Sequence, residues 1–220
     1  MLLNELSERE PQVEVIVASL SPAEERGRFT IQGDPRLAWM PGGDALLGVL
    51  PDGKARSWAI PAGTAGPEVQ LPAHIETLAY SPDGAWIAAG TEEGWVELLS
   101  ASFEVLGRLG PEVGAVDTLA WSPDGKLLAA AGSDDAVALW DVPGRRLIAR
   151  LRGSHGHPGP LAFAPDGHTL ATGFPDGTVR LWDLTGAAIR GEDALSAWLQ
   201  RLGLRWTDAA LEPDPGWGAG

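Results

Sequence analysis

A single spacing constrains this chain more than any other feature. Four turn sequences, Met40-Pro41-Gly42-Gly43, Ser81-Pro82-Asp83-Gly84, Ser122-Pro123-Asp124-Gly125 and Ala164-Pro165-Asp166-Gly167, have their prolines 41, 41 and 42 residues apart. Proline presets φ at the first turn position and glycine accepts positive φ near the end, so each cluster reverses the chain tightly. An aromatic residue stands two positions before each proline: Trp39, Tyr80, Trp121 and Phe163. Each closes a short apolar stretch (LAW, LAY, LAW, LAF), which reads as a buried strand.

A second turn comes eleven or twelve residues after the first, at Pro51-Asp52-Gly53, Glu92-Glu93-Gly94, Asp134-Asp135-Ala136 and Pro175-Asp176-Gly177. A third strand then ends in the register of Trp58, Leu99, Trp140 and Trp182, each 17 residues beyond its proline. The extra residue of the last repeat therefore falls in a connection, where insertions are tolerated. A less regular segment (PEVQL, FEVLGRL, RRLIARL) suits an outer strand. Each unit is thus expected to be a four-stranded antiparallel meander.

The segments GSDDAVALWDV (132–142) and FPDGTVRLWDL (174–184) resemble WD-repeat blades, with Trp140-Asp141 and Trp182-Asp183 as the Trp-Asp pairs. The two earlier units are degenerate, with Trp58-Ala59 and Leu99-Ser100, and the recognisable region runs from about Arg36 to Asp183. The resemblance implies an all-β fold, a β-propeller built from four-stranded antiparallel blades, with four clear and room for a partial fifth. It also implies a hydrogen-bonded set in each blade: a His, a second-strand Ser or Thr, a turn Asp and the Trp. The last blade comes closest, with Thr172, Asp176, Trp182 and His155. Elsewhere the second-strand positions are Gly48, Ala89 and Ala130, and His74 sits nearer its strand than the pattern expects.

That departure leads to an expectation about charge. With no His to bind them, Asp52, Glu93 and Asp134 should keep their charge available where the second turns meet the blade connections. The recurring Trp39, Trp58, Trp121, Trp140 and Trp182 read as core and blade-packing residues, while Trp86 and Trp95 break the pattern and read as candidates for exposure.

An open array exposes two strand edges. The segments 12–18 (QVEVIVA) and 28–32 (RFTIQ) suggest a hairpin across SPAEERG that supplies the outer half of a further blade. At the other end Leu195, Trp198, Leu199 and Leu202 follow helical spacing, with Gly203 as the stop. The expected organisation is therefore a strand hairpin over 1–35, propeller blades over 36–190, an amphipathic helix and extension over 191–211, and a disordered tail over 212–220. Three arrangements are open: a small ring closed by the N-terminal strands, two chains combining half-rings, or a remnant of a longer array.

Composition narrows the function. Sixteen Lys+Arg against 30 Asp+Glu give a net charge of -14, which disfavours phosphate neutralisation and so nucleic-acid binding. With no cysteine, disulfides, thiolate metal sites and cysteine nucleophiles are excluded. No apolar run approaches the ~18 residues of a membrane span, and a cytoplasmic protein without membrane attachment is expected. No nucleophile elbow or phosphate loop is present, so the chain is read as a non-enzyme with no cofactor. The one ligand-like spacing, His155-Gly156-His157, has no adjacent third ligand.

The reading favoured by these features is a protein–protein interaction scaffold that meets a basic loop or tail through Asp52, Glu76, Glu93, Asp117, Asp134 and Asp176. The alternatives are a self-assembling structural half-propeller, which includes a homodimer, and an enzyme or metal site at the His155-Gly156-His157 loop.

Overall fold

A computed structural model describes residues 12–20, 23–50, 52–71, 74–111, 114–152, 156–185, 204–206 and 211–213. The chain divides into two compact units, Met1–His74 and Ile75–Gly220. Among the described residues every regular element is a strand, so the fold is all-β.

The first unit opens with β1 (Gln12–Leu20) and β2 (Ala23–Gln32), an antiparallel two-stranded sheet with a bulge at Val17/Ala18. The predicted hairpin is present, but β2 starts earlier than expected and absorbs most of the SPAEERG loop. Ion pairs from Arg28 to Glu14 and Glu25, both at 2.8 Å, line this ribbon and offset the charge that its sequence brings into a strand. The first blade comes next, as β3 (Arg36–Trp39), β4 (Ala45–Val49) and β5 (Lys54–Ala59). Its fourth strand is broken into β6 (Thr64–Ala65) and β7 (Val69–Gln70), both paired with β5.

Among the described residues the second unit holds three blade sheets and one short two-stranded sheet. β8 (Ile75–Tyr80), β9 (Trp86–Thr91), β10 (Val96–Ser100) and β11 (Val105–Leu109) form one four-stranded antiparallel meander. β12 (Val116–Trp121), β13 (Leu127–Gly132), β14 (Ala136–Asp141) and β15 (Arg146–Arg152) form the next. β16 (Leu161–Phe163), β17 (Thr169–Gly173) and β18 (Val179–Asp183) make a three-stranded fourth blade. The amphipathic helix expected through Leu195, Trp198, Leu199 and Leu202, with its stop at Gly203, lies outside the described residues. In the extension and tail beyond it, β19 (Leu204–Trp206) and β20 (Leu211–Pro213) pair antiparallel.

Local chemistry explains why the turns recur. Ser81 is buried; its Oγ accepts the Trp86 N–H at 2.9 Å and donates to Asp83 Oδ1 at 2.6 Å. Ser122 repeats this with Leu127 N at 2.8 Å and Asp124 Oδ1 at 2.7 Å. The Ser81 hydroxyl, helped by the Ala85 N–H, holds the Asp83 carboxyl below the usual range. Each turn thereby satisfies its own polar groups, as a buried reversal requires.

The core lies between sheets rather than within one. Val96 and Leu98 on β10 pack with Leu128, Ala130 and Trp140 of the following blade. Val137 and Leu139 on β14 pack with Leu170 and Leu184, and Leu161, Phe163 and Trp182 close over them. Alanines on β13 (Ala129, Ala130, Ala131) are fully buried and let neighbouring sheets approach closely. Trp121 Nε1 donates to the Ala79 carbonyl at 3.0 Å, a hydrogen bond from one blade to the blade before it.

The expectation for the tryptophans needs two corrections. Trp39 is 58% exposed rather than core, because no described blade precedes its sheet. Trp86 and Trp95 are half-buried, not exposed: Trp86 packs on the cluster between the second and third blades, and Arg108 sits 4.3 Å over the Trp95 ring.

The family hydrogen-bond set survives in part. Trp182 Nε1 donates to Thr172 Oγ1 at 3.0 Å. One blade earlier the second-strand position is Ala130, and the buried Trp140 Nε1 has no partner. In the first blade it is Gly48, where a Cβ would stand 2.8 Å from Trp58 Cζ3. Leaving a buried donor unpaired costs about 1–3 kcal/mol. Thr172→Val should therefore destabilise the chain by about 1 kcal/mol, and Ala130→Ser should stabilise it by a similar amount. Urea midpoints of the two variants check both signs. A neutral Thr172→Val would show that the Trp182 bond contributes nothing net.

Candidate functional site

The repeat brings acidic residues to one end of each sheet. Glu76 and Asp117 are the extra residues of matching β-bulges. In the second blade Ile75 opposes Thr91 and Thr77 opposes Gly90. In the third, Val116 opposes Gly132 and Thr118 opposes Ala131. A bulge bends its strand and re-aims the extra side chain, so each bulge places a carboxylate residue near the second turn of its own blade. In the fourth blade the matching place is Gly159, whose N–H donates to the Gly173 carbonyl at 2.8 Å.

The second turns stand at that same sheet end. Glu93 is exposed in the β9–β10 turn, which Thr91 Oγ1 closes by accepting the Trp95 N–H at 3.1 Å. Asp134 accepts the Ala136 N–H at 3.3 Å, and Asp176 accepts both the Thr178 N–H at 2.9 Å and its hydroxyl at 2.6 Å. In the first unit Asp52 accepts the Lys54 N–H at 3.1 Å. Burial pushes the Glu97 carboxyl up; Arg108 opposes this shift and the nearby Glu93 charge adds to it.

Contrary to the expectation of unpartnered charge, Asp52 and Asp134 each hold an ion pair within their own sheet. Arg150 Nη1 lies 3.3 Å from Asp134 Oδ2, and the Asp134 side chain is only 14% exposed. Lys54 Nζ lies 2.9 Å from Asp52 Oδ2, and its hydrogen bond holds the Asp52 carboxyl below the usual range. Glu93 and Asp117, by contrast, are exposed and hold no ion pair among the described residues. Glu76 is half-buried and Asp176 exposed. Among these candidates, then, Asp52 and Asp134 are ion-paired within their own sheets, whereas Glu93 and Asp117 are exposed.

The first unit also contains an open cleft of about 780 Å³ between β2 and β5, lined by Ile31, Lys54, Arg56, Trp58 and Glu68. Arg56 Nη2 pairs with Glu68 at 2.9 Å, and Lys54 lies 3.8 Å from the same carboxylate. Sequence reasoning missed these residues. Their only signal was the alternation Lys54, Arg56 on one strand, which an exposed strand face also produces.

Of the His155-Gly156-His157 loop, His155 lies outside the described residues. His157 Nδ1 stands 3.8 Å from Asp135 Oδ1. Among the described residues no three His, Cys, Asp or Glu side chains gather as a metal site. His74 is exposed just before β8, and His168 is exposed in a first turn. No helix among the described residues is long and apolar enough to cross a membrane.

Comparison with known families gives three matches to the model described as WD domain, G-beta repeat, at residues 66–98, 104–141 and 152–183. No curated protein matches the chain. The first two matches take in the outer strand β7 or β11 and then reach into or through the next three strands, and the third runs from the last residue of β15 through β16, β17 and β18. Three matches in register with three successive antiparallel sheets make this chain a member of the WD-repeat family.

Proposed function

We propose that the chain is a non-catalytic scaffold that binds a basic loop or tail of a partner protein at the sheet end carrying Glu93 and Asp117. WD-repeat domains generally mediate protein–protein interaction. The observation that carries the finer reading is the exposure of these two carboxylates at equivalent ends of adjacent blades. Glu76 and Asp176 flank them, and Asp52 and Asp134 stabilise their turns. The net charge of -14 adds a long-range field that attracts cations and repels nucleic acid. The same reading makes the protein cytoplasmic, without a membrane role.

Rim charges act mainly on association rate and salt dependence. A fluorescently labelled Lys/Arg-rich peptide should bind the chain, and the double variant Glu93→Lys, Asp117→Lys should weaken binding by about tenfold or more at low salt, equivalent to about 1.4 kcal/mol. An acidic peptide of equal length is the control. Unchanged anisotropy titrations in the double variant would remove this face from the reading.

A further inference from the structure

Within the second unit, both blade-to-blade junctions are built from the same two half-surfaces. The leaving half consists of two third-strand side chains: Val96 and Leu98 in the second blade, Val137 and Leu139 in the third, all fully buried. The arriving half consists of two first-strand side chains: Leu119 and Trp121 in the third blade, Leu161 and Phe163 in the fourth, all packed on the preceding sheet. Each half is also present once in the chain with little on it. Val179 and Leu181 hold the leaving positions of the fourth blade and are 68% and 71% exposed. Leu37 and Trp39 hold the arriving positions of the first blade and are 40% and 58% exposed.

A second observation concerns strands rather than faces. β14 is paired on its outer edge by β15, but among the described residues no strand pairs with the corresponding edge of β18. An unpaired edge beside an uncovered apolar face is a template for association. β2 leads into β3 as β15 leads into β16, and its Gly27 lies against Pro61, as Gly107 of β11 lies against Arg145 of the next blade. β2 thus stands where the outer strand of a preceding blade would stand.

We infer that a second copy of this chain covers these surfaces head to tail. Leu37 and Trp39 of one copy seat on Val179 and Leu181 of the other, and β2 comes alongside the β18 edge that no described strand pairs. The chain itself specifies the partner, since the two uncovered faces are the two halves of the one junction it repeats internally. Each junction is heterologous, and because every copy carries both halves, a pair of copies has the surfaces to make it twice. By analogy with the Trp121–Ala79 bond, the Trp39 indole N–H of one copy donates to the Ala162 carbonyl of the other. The inference is independent of the acidic sheet end.

Light scattering on the full chain across a concentration series tests it. The expected mass is twice the 23.1 kDa chain. Trp39→Glu or Leu181→Glu should each raise the dissociation constant by about thirtyfold or more, because a charge then enters an apolar junction. Both side chains are exposed in the chain, so neither substitution should impair folding, which circular dichroism checks. Each variant keeps one intact half, so mixing the two should restore association through a single junction. A monomer at all concentrations would overturn the inference. So would a Trp39→Glu variant that still self-associates, since that would mean like faces pair with like.

Discussion

Leu139→Ala should destabilise the chain by about 3 kcal/mol, within the range of about 2–5 kcal/mol for buried leucines. The same truncation at Leu181 should cost less than about 0.5 kcal/mol, as for an ordinary surface position. The two leucines occupy the same register position one blade apart and differ in whether a further blade packs on them. Leu139 is fully buried in the cluster between the third and fourth blades, touching the layer that contains Leu170 and Leu184. Removing its isobutyl group leaves a cavity between two sheets, which are held apart by their other side chains and collapse only partly. Leu181 faces outward, so its truncation opens no cavity. Urea unfolding at low protein concentration, where association adds nothing to stability, gives both numbers. Equal losses at the two positions would mean that another segment covers the Leu181 face in solution.

This pair also shows what a single sequence can and cannot say. The turns were legible because their chemistry is local: Ser81, Pro82, Asp83 and Gly84 satisfy one another within a few residues. Four recurring turns and a constant 17-residue interval were enough to place the strands and the family. The fate of Trp39 was not legible, because its letter and register match Trp121 while its exposure depends on a neighbouring blade. The same holds for Asp134. Its ion-pair partner, Arg150, comes from an outer strand sixteen residues on, and a bulge at Leu139/Trp140 shifts the register that brings the two together. Periodicity shows which face a residue shares, but not what occupies the space beyond it. Glu76 and Asp117 were legible as members of the acidic set, but their bulge geometry depends on the pairing partners Thr91, Gly90, Gly132 and Ala131.

Gly132→Ala should be the most damaging one-carbon change in the third blade, at about 3 kcal/mol or more, the upper end of overpacking costs. A Cβ on Gly132 would overlap the Ala115 carbonyl oxygen and stand 2.8 Å from its carbon and 3.0 Å from Val116 Cα. These are backbone atoms, so no side-chain rotation relieves the clash. The carbonyl also accepts the Ser133 N–H at 3.1 Å, so displacing it breaks the bond that ties the second turn to the start of β12. Gly177 separates this steric effect from ordinary glycine chemistry. It has φ of 81° and nothing within 4 Å of a Cβ, so Gly177→Ala should cost about 1–2 kcal/mol through backbone conformation alone. The two substitutions should also differ in reach. Gly132 opposes Val116 at the bulge that presents Asp117, and Ser133 adjoins Asp134, so the clash falls at the acidic end of the blade. Hydrogen exchange should therefore show β12 and β13 opening together in Gly132→Ala, and capture of a basic peptide should fall even where the chain remains folded. A Gly132→Ala chain with a native urea midpoint would mean that the β12 bulge yields freely, and that the position of Asp117 is not imposed by the fold.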